Sequence, residues 1–126
     1  MAVIKCSYSC TLVLAMDIFG GKWKMVILWV LRHGVLRFGE IKKTLPGITQ
    51  KMLTQQLREL EEAGIITRVV YPVVPPKVEY NLTVEGQKII PILNQLCEWT
   101  IEYAKLNDIQ YVYPYTTQDF ISKQKD

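Results

Sequence analysis

Residues 37–83 read RFGEIKKTLPGITQKMLTQQLRELEEAGIITRVVYPVVPPKVEYNLT, and this stretch decides the fold. Over residues 37–45, Phe38, Ile41 and Leu45 fall on one side and Lys42 and Lys43 on the other, which predicts a short helix. Pro46-Gly47 is a turn signal. Thr49 stands where an N-cap belongs, and a longer helix is expected to run to Ala63 and stop at Gly64. Within it Leu53, Leu57 and Leu60 recur at i, i+4 and i+7, the spacing of a core stripe. Opposite them stand Gln50, Lys51, Thr54, Gln55 and Arg58, a row of donors in which only Thr54 and the Gln oxygens also accept. From Ile65 the period becomes that of strands. Residues 66–71 are rich in β-branched and aromatic types, residues 78–82 alternate, and Pro72, Pro75 and Pro76 lie between them. Helix, turn, helix and hairpin in this order predict a winged helix-turn-helix. In that fold a leucine-anchored helix turns its polar face to base edges in a major groove.

Outward from this stretch the chain is mostly helical. Thr11 to Phe19 is almost all apolar, and Gly20-Gly21 ends it. Trp23, Val26, Ile27, Val30 and Leu31 then mark a buried helix closed by Gly34. On the other side Thr83 caps a helix that should reach about Lys105, with Glu85 in its first turn and Pro91 inside. That helix is apolar on more than one side. Ile89, Ile92, Leu93, Leu96 and Tyr103 form one face, Ile90, Cys97 and Ile101 another, and Trp99 lies nearby. One small core cannot bury both, so a dimer helix is expected, paired with residues 11–19. The fold class is therefore mainly α with a β-hairpin wing: a winged helix-turn-helix with N- and C-terminal dimerisation helices. The 126 residues suit a single domain. The tail from Leu106, with Tyr111, Tyr113 and Tyr115 alternating before a polar end, receives no role.

Charge is uneven. Residues 22–77 hold ten Lys and Arg against four Glu, a net +6, while residues 78–126 hold four Lys against seven acids, a net −3. The basic excess coincides with the helix-turn-helix and wing, the footprint of a phosphate-binding face. A solvated basic surface would show the same excess, so charge alone does not decide. No apolar run reaches the roughly 20 residues of a membrane span, and no signal peptide opens the chain. A cytoplasmic protein is expected. Three cysteines (Cys6, Cys10 and Cys97) and one histidine (His33) fit no common zinc spacing, and the odd count argues against a disulfide scaffold. Gly20-Gly21-Lys22 is no phosphate loop, because Met16 and Trp23 stand where that motif needs Gly and Ser or Thr. No nucleophile or metalloprotease constellation surrounds His33, so neither an enzyme nor a cofactor nor a metal is expected.

An ordered set of short pieces carries a family resemblance. They are Cys10, Gly20-Gly21-Lys22-Trp23, Ile27-Leu28, Arg37-Phe38-Gly39-Glu40-Ile41, Gly47-Ile48-Thr49, Leu53-Thr54, Leu57-Arg58-Glu59-Leu60-Glu61, Gly64-Ile65, Arg68, Val74-Pro75-Pro76-Lys77-Val78-Glu79-Tyr80, Leu82-Thr83 and Gly86. Across residues 10–103 the chain resembles the HxlR-type branch of the MarR-like winged-helix transcription regulators. The resemblance implies a homodimer that binds a pseudo-palindromic operator in double-stranded DNA and dimerises through its first and last helices. It also implies that Cys10 is a candidate redox sensor, since some relatives sense electrophiles or oxidants at this position. The family usually has Pro after that cysteine, and here Thr11 follows.

The expected DNA contacts are then Gln50, Lys51, Thr54, Gln55 and Arg58 for groove and bases, and Thr49 for a phosphate at the helix N-terminus. Arg68 and Lys77 of the wing and Arg37 are expected on phosphates. The plain alternatives are an amphipathic surface helix, a solvated hairpin and an Arg37–Glu40 surface ion pair. If helical, Cys6 and Cys10 would share a face. A rival from another class is a winged-helix protein-interaction module without specific DNA binding. A further expectation, compatible with DNA binding, is a small-molecule effector in an aromatic pocket lined by Trp23, Trp99 and Tyr103.

Overall fold

The computed structural model describes residues 4–111. Five helices and a three-stranded sheet follow in the order α1 (Thr11–Phe19), α2 (Lys24–Val30), β1 (Leu36–Arg37), α3 (Phe38–Thr44), α4 (Gln50–Glu62), β2 (Ile66–Tyr71), β3 (Lys77–Leu82) and α5 (Val84–Leu106). A single 3-10 turn, Leu31–His33, closes α2 before Gly34. This is the helix-turn-helix, hairpin and long terminal helix that the sequence predicts. Tyr113 and Tyr115 of the tail lie outside the described residues.

Local chemistry sets the ends of α4. The Thr49 hydroxyl accepts from the Met52 N–H at 3.0 Å, which satisfies one of the amides a helix start leaves open. At the other end Gly64 takes a left-handed φ of 78°. That turn lets the Ile65 N–H reach the Leu60 carbonyl at 3.0 Å and the Gly64 N–H reach that of Glu61 at 3.0 Å, a Schellman closure. The chain leaves directly into β2. Thr83 does a double task at the start of α5. Its hydroxyl accepts from the Gly86 N–H at 3.1 Å and donates back to the Gly64 carbonyl at 2.7 Å, tying α5 to the end of α4.

The sheet order is β1-β3-β2, all antiparallel. The hairpin runs in register from Ile66 opposite Leu82 to Tyr71 opposite Lys77. The strand β1 was not expected. Leu36 pairs with Tyr80 and Arg37 with Glu79, so the residues before α3 bind the wing to the helices. Two residues are too few to show a period of two, which is why the sequence hides them.

One core gathers Ile27, Leu28, Val30 and Leu31 of α2 and its turn, Ile41 and Leu45 around α3, and Leu53, Leu57 and Leu60 of α4. Tyr80, Leu82 and Leu93 complete it from β3 and α5. The leucine stripe of α4 is buried as its spacing implies. By contrast, α1 buries no residue, and Leu12, Val13 and Met16 are half or more exposed. On α5, Leu93 and Ala104 are buried, whereas Ile92, Leu96, Trp99 and Tyr103 are exposed. No described helix is long and apolar enough to cross a membrane.

Candidate nucleic-acid interface

The outer face of α4 and the base of the wing enclose a polar cleft of about 360 Å3. Gln50, Thr54, Arg58 and Glu61 line one wall, at helical spacing along α4. Arg68 of β2, Phe38 and Tyr80 complete the lining. Gln50, Thr54 and Arg58 are exposed, as are Thr49 and Lys51 at the head of the helix. The Thr54 hydroxyl donates to the Gln50 carbonyl at 2.8 Å. Its proton is committed to the helix, so toward solvent Thr54 presents an acceptor. Gln50 can donate and accept, while Arg58 and Arg68 only donate. A face of this kind can bind bases and phosphates at once, provided a duplex can approach it.

Gln55 does not line that cleft. It is half-buried, and its amide Nε2 donates to Glu59 Oε2 at 2.7 Å. The other oxygen, Oε1, holds the ammonium of Lys24 at 2.8 Å. Both charged side chains are deeply enclosed, at 5% and 9% exposure. The sequence reading missed this pair. A signal was present: Lys24 lies at i, i+3, i+4 and i+7 with Ile27, Leu28 and Leu31, so a charge stands on the buried stripe of α2. A charge in that place demands a partner.

The other expected contacts are placed as follows. Arg37 is exposed on β1, and its charge helps to lower the pKa of Glu79 across the strand pair. No Arg37–Glu40 ion pair forms among the described residues. The Glu40 carboxylate instead accepts the Arg37 backbone N–H at 2.9 Å and caps α3. Lys77 is half-buried near the wing tip, 3.5 Å from Glu79 Oε2 and 4.9 Å from the centre of the Tyr71 ring. Tyr71 in turn bonds Glu79. That bond raises the Tyr71 pKa and, ahead of the Lys77 and Arg37 charges, lowers that of Glu79. The wing is thus held by Tyr71, Glu79 and Lys77 together.

Cys10 is exposed and serves as the N-cap residue of α1, with extended backbone and no side-chain cap bond. Cys6 is also exposed but precedes the helix, so the two thiols do not share a helical face. Between them the Tyr8 hydroxyl donates to Asp17 Oδ2 at 2.6 Å and accepts from the Lys5 N–H at 2.9 Å, which fastens this segment to α1. Cys97 is half-buried, and burial raises its thiol pKa against the opposing charge of Arg32. No group of three metal-binding side chains occurs among the described residues.

An apolar groove of about 450 Å3 runs between α2 and α5, lined by Met25, Val26, Trp29, Leu96, Cys97 and Tyr103 among others. Its aromatic lining differs from the expected one. Trp23 is buried in the core, and Trp99 lies outside the groove, stacked on Tyr103 with ring centres 5.2 Å apart. Trp29, absent from the expectation, takes their place.

Comparison with known proteins agrees with this geometry. The HxlR-like helix-turn-helix family pattern matches residues 18–108. An uncharacterized HTH-type transcriptional regulator of Methanothermobacter thermautotrophicus is 55% identical over 97 residues, covering 77% of this chain and 74% of that protein. A crystal structure of the HTH-type regulator YtcD superposes with a TM-score of 0.74 at 49% identity, covering 76% of this chain and 98% of that one. The redox regulator HypR in its reduced form superposes with a TM-score of 0.75 at 42% identity, covering 80% of this chain and all (100%) of that one. Regulators with this fold bind DNA and typically act as dimers.

Proposed function

The chain belongs to the HxlR-like helix-turn-helix family and is a DNA-binding transcriptional regulator, and from that premise we propose that it works as a homodimer on a pseudo-palindromic operator. The observation that carries the reading is the cleft that Gln50, Thr54 and Arg58 of α4 line together with Arg68 of the wing. In it, α4 enters the major groove. Gln50 and Arg58 meet purine edges, Thr54 accepts from a base, and Lys51 lies along the groove wall. The amides at the Thr49 end take a phosphate, and Arg37, Arg68 and Lys77 take others. Leu53, Leu57 and Leu60 hold the helix against the core while it reads.

Dimerisation is supported by the unburied apolar faces of α1 and α5. Leu12, Met16, Ile92 and Trp99 are all more than half exposed, an apolar surface that a monomer rarely leaves in water. A second copy laid on these faces would set two recognition helices on successive turns, with half-sites about 34–36 Å apart. Occlusion of a promoter by the bound dimer is the simplest mode of control. Residues 1–126 act as a single domain inside the cytoplasm, with 10–103 as the span of the family resemblance and 106–126 as its C-terminal tail.

An oxidant or electrophile input through Cys10 is the second part of the proposal. HypR is described as a redox regulator, and here Cys10 is exposed at the start of a helix assigned to the dimer. The groove between α2 and α5 could admit an apolar effector as well, without conflict with DNA binding.

Fluorescence anisotropy tests the reading. The probe is the duplex upstream of the protein's own gene against a scrambled duplex, across salt and with or without diamide. Preferential binding that weakens steeply with salt is expected. Equal, weak binding to both duplexes, and to any duplex selected from a random pool, would favour the protein-docking alternative. Cys10→Ser should keep operator binding and lose the diamide response. A response that survives in Cys10→Ser removes Cys10 from the mechanism.

A further inference from the structure

We propose that the buried Lys24–Glu59 pair determines the sequence specificity of the protein by fixing the rotation of α4 and holding the Gln55 amide on the Glu59 carboxylate. The inference rests on the assignment of α4 as the recognition helix.

A buried ion pair is a poor source of stability. Both charges lose their hydration, and well-packed apolar residues of the same volume usually serve the fold as well or better. Here the ammonium and carboxylate are almost fully enclosed and meet at 2.8 Å. They join α2 to α4 away from the cleft that Gln50, Thr54 and Arg58 line. What such a pair supplies, and leucines do not, is direction. The close-packed stripe of Leu53, Leu57 and Leu60 resists rotation through contact that has no direction of its own. A charge-assisted hydrogen bond between enclosed partners adds a directional restraint. On a helix of roughly 5–6 Å radius, a turn of about 20° carries side-chain tips sideways by about 2 Å. That is enough to break a bidentate base contact. The same carboxylate also engages the Gln55 amide through its second oxygen at 2.7 Å. Gln55 follows Thr54 and is one turn before Glu59. Released from the carboxylate, its amide would be free to swing toward the groove and offer a donor and an acceptor to the wrong base.

The test uses the full-length double variant Lys24→Met with Glu59→Leu. The probe is a duplex selected from a random pool by the unaltered protein, set against a scrambled duplex of equal length. Thermal unfolding and the salt slope of binding are measured beside the affinities. The variant is expected to stay folded, with midpoint unchanged or raised, and to keep its scrambled-duplex affinity and salt slope. Its preference for the selected duplex should fall about tenfold or more, the worth of roughly one good base contact. A folded variant whose preference stays within about twofold overturns the proposal and leaves the recognition helix standing. An unaltered protein that selects no duplex at all takes both readings down. If the double variant does not fold, the unaltered protein decides. On adding the selected duplex, the side-chain amide resonances of Gln50 should move and those of Gln55 should stay. Movement of Gln55 as large as that of Gln50 refutes the positioning role.

Discussion

Replacing Gly86 by alanine should destabilise the protein, although it puts a better helix former inside a helix. Gly86 lies in the first turn of α5, buried against the turn between α4 and β2. A methyl built there meets the Ile65 carbonyl oxygen closer than real side chains allow, with the carbonyl carbon at 3.3 Å. The obstacle is backbone and cannot rotate away. That same oxygen accepts from the Thr83 N–H at 3.0 Å and lies 3.0 Å from the Thr83 hydroxyl. To admit the methyl, α5 must move off the turn, which strains both bonds. Overpacking of this kind costs about 1–3 kcal/mol. Weakening one of the Thr83 bonds adds about 0.5–1.5 kcal/mol. The gain in helix propensity is about 1 kcal/mol in the opposite direction. The net expectation is a loss of roughly 1–3 kcal/mol. Gly39→Ala is the control. It stands exposed in α3 with open space where the methyl goes, so it should be neutral or stabilise by about 0.5–1 kcal/mol. Urea melts followed by circular dichroism at one protein concentration would measure both. A Gly86→Ala protein as stable as the parent would refute the close packing of α5 on the Ile65 turn.

Arg58→Ala should remove about 1–3 kcal/mol of preference between related duplexes. Arg68→Ala should instead weaken all duplexes alike and lower the magnitude of the salt slope by about 1, and anisotropy titrations across salt separate the two outcomes. Cys97, whose thiol pKa burial raises, should react with a disulfide reagent more slowly than Cys6 or Cys10 in the native protein and equally fast in denaturant. Glu79 is held below its ordinary pKa of 4.5, first by the Tyr71 hydrogen bond. Its contribution to the hairpin is therefore complete above that value and lost as the pH falls through the depressed one. Amide protection in β2 and β3 should drop there in the parent and less so in Glu79→Gln, which should also return the Tyr71 pKa toward 10.0.

The sequence shows what repeats and hides what occurs once. Leu53, Leu57 and Leu60 announce a helix and its buried side because three positions agree. The strands announce themselves at 66–71 by composition and at 78–82 by alternation, and Thr49 and Thr83 stand where caps are needed. The strand at Leu36–Arg37 has no such redundancy. Helical spacing puts Gln55 in the outward row beside Thr54, but it is silent on the Glu59 carboxylate that takes its amide. Contacts across the fold were equally silent. Nothing local to Lys24 names Glu59 as its partner 35 residues on. The expected pocket of Trp23, Trp99 and Tyr103 failed for a related reason. Three aromatic residues on two helices were grouped by type, but Trp23 is needed in the core, and Trp29 faces α5 in its stead.

The short helix α2 connects these observations. Ile27, Leu28 and Val30 lock it into the core, each with no measurable exposure. At its first residue Lys24 reaches α4, and along another side Met25, Val26 and Trp29 form one wall of the groove against α5. A helix of seven residues so enclosed moves as a unit or not at all. The surface assigned to the dimer therefore lies one rigid element away from the surface assigned to DNA. Apolar contact between α2 and α4 is non-directional, and the ion pair adds a directed link to it. With the ion pair between them, a displacement of α2 is felt by Glu59 and, through its second oxygen, by Gln55. The proposed positioning role explains why charges stand there at all, since the pair links the reading helix to the helix behind it.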